Sequence, residues 1–331
     1  MLVITEANAI AYLCGQCPSW MPFGLPLSLG GGISNTVLQI DTGIGRIVLK
    51  QALPKLRVAQ DWFSNPARTL REAQALKSCA QFLPIGGVPQ VLLLDQENYI
   101  YAMEAAPNSF VDWKHLLMSG IVDQSTAAKA GDILGRIIAA SWRNQHLEQE
   151  FGDQTVFQEL RLEPYYQSTA RKHSDLAMFF EDLILSCHQR RLSLVHGDWS
   201  PKNLLVSADQ VMAIDFEVIH FGDPSFDAGF LLTHLMLKSF HCPRLLDALE
   251  QAALNFYQQV RQHLPESPDE FEDFTVRHWG ALLLARMDGK SPAEYIQDDQ
   301  TKQRIRLLAR QLMGHPSSDG IAGVWSARRK I

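Results

Sequence analysis

Apolar and polar positions change rhythm near residue 107. Before it, residues 37–40 and 46–50 are short apolar runs that read as the arms of a hairpin turning at Asp41-Thr42-Gly43. A second hairpin is predicted from 91–94 and 99–103, turning at 96–98. Helical patterns cover 5–13 and 66–80, and Gly30-Gly31-Gly32 forms a glycine loop between two extended stretches. Beyond residue 107 the period becomes 3.6, predicting amphipathic helices over 127–142, 156–166, 177–191, 226–240, 244–263 and 270–287. Only a short strand, loop and strand at 195–216 interrupts them. The pattern predicts an α+β chain of two lobes, a β-rich one over 1–106 and a mainly helical one over 107–331, without repeats or low-complexity tracts.

A length of 331 residues suits two such lobes, and the net charge of −6 argues against a nucleic-acid partner. The N-terminus lacks the basic start of a secretory signal, and no apolar run approaches the roughly 18 residues that would span a bilayer. A cytoplasmic location is expected. Five cysteines, an odd number, fit a reducing compartment, and Cys14 and Cys17 form a lone pair without a second set at zinc spacing. Arg328-Arg329-Lys330 reads as a solvated tail, and the acidic segment 265–273 as a solvated loop or helix start.

The chemistry concentrates in His196-Gly197-Asp198-Trp199-Ser200-Pro201-Lys202-Asn203, followed by Asp215-Phe216-Glu217 after a short apolar strand. Phosphoryl transfer needs a base to orient a hydroxyl and oxygen ligands to hold metal ions against phosphates. Asp198 is the candidate base, Asn203, Asp215 and Glu217 the candidate Mg²⁺ ligands, and Asp215 also faces the phosphates of ATP. His196 reads as an anchor of the loop, and Lys202 as a contact to the transferring phosphate or a surface charge. Upstream, Gly31 and Gly32 would present backbone N–H groups to phosphates, with Ser34 and Asn35 adding side-chain donors. Lys50, ending a predicted strand, and Glu72, on the following helix, have the order of a phosphate-binding ion pair. Met103, Glu104 and Ala106 lie on the predicted connector between lobes, where backbone groups would read an adenine edge.

On these motifs the chain resembles the aminoglycoside phosphotransferase and choline kinase superfamily, the small-molecule branch of the protein-kinase-like fold. The resemblance runs from Gly30 to about Tyr295. Lys50-Gln51-Ala52-Leu53-Pro54, Asp215-Phe216-Glu217 and the stretch from Phe221 to Asp227 are similar to 5-methylthioribose kinases, whereas the loop ending Pro201-Lys202-Asn203 is closer to the wider superfamily. The resemblance implies a two-lobed kinase-like fold, Asp227 bracing the catalytic loop, and Arg286, three residues before Gly289, as a substrate contact. It implies an ATP- and Mg²⁺-dependent transfer to a hydroxyl of a small molecule: a sugar such as methylthioribose, an amino alcohol or an aminoglycoside. Neither a membrane nor a nucleic acid is an expected partner, and both monomer and homodimer are open. The alternative is a catalytically silent nucleotide-binding module of the same fold, which the presence of Lys50, Asp198, Asn203 and Asp215 disfavours.

Overall fold

The computed structural model describes residues 2–30, 35–55, 65–314 and 320–331. The chain forms two compact units, Met1–Phe110 with Met212–Val218, and Val111–Val211 with Ile219–Ile331.

The first unit is built on strands β1 (Phe23–Ser28), β2 (Asn35–Thr42), β3 (Gly45–Ala52), β4 (Val91–Asp95) and β5 (Ile100–Glu104), with helices α1 (Ala9–Gln16) and α2 (Arg68–Cys79). The sheet order is β1-β2-β3-β5-β4, and the described pairings are antiparallel. The two predicted hairpins are present, β2 with β3 and β4 with β5. The first helix starts later than its pattern suggests, at Ala9, where the Asn8 side chain bonds the Thr5 N–H and the Val3 carbonyl in the turn that precedes it. Alternation along β3 sends Ile47 and Leu49 into a core with Leu38, Ile40, Ile100 and Ala102, against Ala9 and Leu13 of α1. Each such aliphatic side chain contributes about 1.5–3 kcal/mol on burial. The same alternation puts Lys50 on the opposite face from Leu49, the face on which it meets Glu72 of α2.

The second unit contains helices α3 (Trp113–Met118), α4 (Gln124–Ser141), α5 (Gln145–Phe151), α6 (Ala177–Gln189), α7 (Ser225–His241), α8 (Leu246–His263), α9 (Pro268–Asp288), α10 (Asp299–Gly314) and α11 (Gly320–Lys330). Side chains of Asp112, Asp123 and Asn144 accept from the first free N–H groups of α3, α4 and α5, satisfying donors that would otherwise be orphaned. A Cβ at Gly131 would lie 2.2 Å from the Phe256 carbonyl, so α4 and α8 touch backbone to backbone only because that position is glycine.

Three sequence expectations change here. Residues 156–166 are not an α-helix: after a single turn at Thr155–Phe157 the chain enters a π-helix, Gln158–Gln167. Pro164 lies inside it, and a proline has no N–H for the α-helical ladder. Two helices follow residue 287 that the pattern did not announce, α10 and α11. Arg328 is no solvated tail residue. It is buried, stacked 3.7 Å from the Phe240 ring centroid, and donates from Nη2 to the Ser239 carbonyl at 3.0 Å.

The acidic segment begins α9, where Asp269 and Glu270 occupy the first turn and complement the helix dipole. Arg143 pairs with Glu266 at 2.8 Å, Arg190 with Glu270 at 2.5 Å, and Arg261 with Asp269 and Glu272 at 2.8 and 2.9 Å. Among the described residues no helix is long and apolar enough to cross a membrane.

Candidate active site

In the first unit Lys50 is the centre of a buried charge cluster. Its Nζ lies 2.7 Å from Glu72 Oε1 and 2.5 Å from Asp215 Oδ1. Burial alone would lower the Lys50 pKa, but the Asp215 and Glu72 carboxylates hold it well above its ordinary value, so it is an ammonium at neutral pH. Asp215 follows the short strand β9 (Val211–Ala213; β6 is Val111–Asp112, β7 Ser193–Val195 and β8 Leu204–Val206) and has φ +66°. A non-glycine residue in that region is strained and marks a backbone held for its side chain. Two residues on, Glu217 Oε2 accepts from Arg68 Nε at 3.1 Å and from Asn35 Nδ2 at 3.0 Å.

The donor set suits a hard divalent cation. Asp215 and Glu217 offer carboxylate oxygens, and with Glu72 they make three acids against the two bases Lys50 and Arg68. Carboxylate oxygens are ligands that hard divalent cations take.

Met103 is buried on β5 opposite Val48, and Glu104 is exposed, its N–H donated to the Gln90 carbonyl. Ala106 is half-buried just beyond. Gly31, Gly32 and Ser34 lie outside the described residues.

In the second unit the loop bearing Asp198 leaves β7, which pairs antiparallel with β10 (His220–Gly222). The Asp227 carboxylate on the first turn of α7 accepts the N–H groups of His196 and Gly197 at 2.6 and 2.9 Å. It therefore braces the loop, although burial pushes its pKa up to about 7 against the pull of those donors. His196 Nδ1 accepts the Asp198 N–H at 3.1 Å, and its ring meets Trp199 edge-on. Asn203 Nδ2 returns to the Asp198 carbonyl at 3.0 Å. Backbone and ring contacts thus fix the loop and leave the Asp198 side chain to other partners. Those are Arg161 Nη2 and Lys202 Nζ, each 3.0 Å from Oδ2.

Arg161 is a residue that the sequence reading missed. It sits on the π-helix, donates from Nε to the Gly197 carbonyl at 2.5 Å and from Nη1 to the Leu160 carbonyl at 2.6 Å, and lies against Tyr165 and Phe230. No local pattern announces it. Arg68 was also missed, but its position four residues before Glu72 on one helix face was a usable signal.

Arg286 lies near the end of α9. Its Nη1 donates to the Ser291 carbonyl at 2.5 Å and to Ser291 Oγ at 2.9 Å, with Tyr165 Oη at 3.4 Å. His234 and Lys238 lie one turn apart on α7, on the stripe that carries Phe230. Burial, then Lys114 and Arg286, lower the Lys238 pKa to about 7. Burial, then Lys238, Arg286, Lys202 and Lys114, lower His234 well below its ordinary value.

Comparison with known proteins places this architecture. The chain belongs to the phosphotransferase enzyme family, whose model matches residues 27–263. Within that family it is a small-molecule kinase. A methylthioribose kinase of Pectobacterium carotovorum is 28% identical over 253 residues, covering 68% of this chain and 63% of its own length. This chain therefore spans less than two thirds of that relative. The methylthioribose kinase of Yersinia pseudotuberculosis is 27% identical over 351 aligned residues, 95% of this chain and 82% of its own. Among solved structures, an amicoumacin kinase in complex with AMP-PNP, Ca²⁺ and Ami shares the fold, with a TM-score of 0.57, 13% identity and 95% of each chain covered.

Proposed function

We propose that the protein transfers the γ-phosphoryl group of ATP to a hydroxyl of a small molecule with Mg²⁺ as cofactor, Asp198 serving as base. The observation that carries the reading is the Lys50 ammonium held between Glu72 and Asp215 at 2.7 and 2.5 Å. A cation fixed by one carboxylate beside a second, metal-binding carboxylate is what positioning nucleotide phosphates demands. The nucleotide and the divalent ion bound to the amicoumacin kinase support the same cofactors.

Lys50 pairs with the α/β phosphates, and Glu72 sets its position. Asp215, Glu217 and Asn203 would hold the metal, and Mg²⁺ there would supply neutralisation of phosphate charge. By their place in the sequence glycines 31 and 32 and Ser34 would serve the phosphates together with Asn35, and the backbone at Met103, Glu104 and Ala106 would read the adenine edge. Asp198 accepts the hydroxyl proton as the phosphoryl group is transferred, and Arg161 and Lys202 hold its carboxylate in place. Arg286 contacts the acceptor. The methylthioribose kinase relatives make a sugar the first acceptor to assay.

Asp198→Asn removes the proton acceptor and keeps the shape. In a coupled ADP-release assay it should lower kcat by about 10²–10⁴-fold while leaving ATP affinity intact. Full turnover in that variant would overturn the assignment of the base.

A further inference from the structure

Lys238 stands in an unusual place for a lysine. It is 2% exposed on α7, and the hydrogen bond from its Nζ is a long one of 3.4 Å to the His234 carbonyl of its own helix. The Tyr295 ring lies 5.7 Å away, and the charges acting on the ammonium are Lys114 and Arg286, both cations. Among the described residues no carboxylate pairs with it, a buried ammonium is costly unless paired, and an anion arriving from outside would supply the missing partner.

Two further donors are in the same state. Among the described residues the Arg286 Nε–H and the Tyr295 hydroxyl are buried without a hydrogen-bond partner. Lys238, Arg286 and Tyr295 all offer donors, and Lys114 adds a third positive charge. The one acid of this neighbourhood already described, Asp198, is engaged by Arg161 and Lys202. The acidic start of α9 is likewise taken up by Arg143, Arg190 and Arg261.

The cluster is continuous with the base. Tyr165 bonds Arg286 and lies against Arg161, which holds Asp198. A ligand whose hydroxyl meets Asp198 therefore extends toward donors and positive charge. Cationic acceptors such as amino alcohols and aminoglycosides are the wrong complement for that surface.

We infer that the acceptor carries a fixed negative charge, a carboxylate or a phosphate, bound by Lys238, Arg286 and Tyr295, while its hydroxyl meets Asp198. The inference rests on the phosphotransferase reading for the hydroxyl, but the anion site can be tested apart from it.

The test compares matched acceptors in the ADP-release assay: ribose and methylthioribose as neutral sugars, ribonate and gluconate as carboxylates, ribose 5-phosphate and glucose 6-phosphate as phosphates, and choline as a cation. One anionic set should exceed its neutral counterparts in kcat/KM by about 10- to 100-fold, the value of a charge-assisted hydrogen bond. Which set leads distinguishes carboxylate from phosphate. Lys238→Met should remove that preference by raising KM for the anionic acceptor without raising KM for ATP, and Arg286→Gln should do the same from another helix. A neutral sugar or choline preferred over every anion would overturn the inference and leave phosphotransfer standing.

If no acceptor consumes ATP, the phosphotransferase reading fails instead. Calorimetric titration of the intact protein with ribose 5-phosphate and ribonate then decides the anion site. Binding that weakens about tenfold or more in Lys238→Met supports it. Absent binding, or equal binding by the variant, overturns it.

Discussion

Lys238→Met should make the protein more stable at acid and neutral pH, and the gain should vanish in alkali. A tenfold change in proton affinity corresponds to about 1.4 kcal/mol. The fall of the Lys238 pKa from 10.5 to about 7 therefore caps the penalty for folding with the charged side chain at about 5 kcal/mol. Methionine loses the contact with the Tyr295 ring, at 5.7 Å, worth about 0.5–2 kcal/mol, and the long bond to His234. It keeps the packing of an unbranched apolar stem. The net gain should be about 3 kcal/mol near pH 6.

The sign follows from proton binding. The unfolded chain keeps the lysine protonated up to pH 10.5, the folded chain only to about 7. Between those values the unfolded state holds more protons, so wild-type stability rises with pH. The advantage of the variant is complete below about pH 7 and fades toward pH 10.5. Urea denaturation of both proteins at about pH 6 and about pH 10, followed by tryptophan fluorescence, measures it. A variant less stable than wild type near pH 6, or a difference that does not change with pH, would refute the account of Lys238 as an uncompensated charge.

Other perturbations separate the parts of the site. Asp215→Ala should abolish the Mg²⁺-dependent share of nucleotide affinity, about 10- to 100-fold for a contact of about 1.5–3 kcal/mol; equal affinity with and without Mg²⁺ in wild type and variant alike would remove Asp215 from the metal site. Arg161→Lys keeps a charge but loses the fork to Gly197 and Asp198, and should lower kcat by about tenfold or more with little change in KM for ATP; a rise in KM for ATP alone would contradict its role as a positioning residue. Arg328→Ala should cost about 2–3 kcal/mol of stability in urea melts, through lost stacking on Phe240 and two bonds to Ser239, while leaving the kinetics alone; a loss of activity without a loss of stability would mean that the arginine does more than pack.

Local signals explain what the sequence made legible. Short apolar runs at 37–40, 46–50, 91–94 and 99–103, separated by turn residues, announced both hairpins, and the 3.6 rhythm announced the long helices because one face of each enters a core. The separation of Asp198, Asn203 and Asp215 was informative because a loop and a short strand fix their order. Other features depend on what folding brings near. Arg161 looked like any helix arginine until Gly197 and Asp198, 36 and 37 residues later, came within reach. α10 buries only Ile305, Leu308, Ala309, Leu312 and Met313 among many charged positions, too narrow a stripe to stand out. Lys238 carried a weak signal, a lysine in an otherwise apolar helix, but the absence of a counter-charge is a property of packing.

Asp227 fastens the base loop at the start of α7, and Lys238 follows eleven residues later on the same helix. At about 1.5 Å per residue that interval is about 16 Å along the axis, shortened because helical side chains lean toward the N-terminus. One stiff rod thus carries the brace of the base loop and the proposed anchor for the charge. A break in α7 between the two would therefore disturb the loop of the base and the charge anchor together.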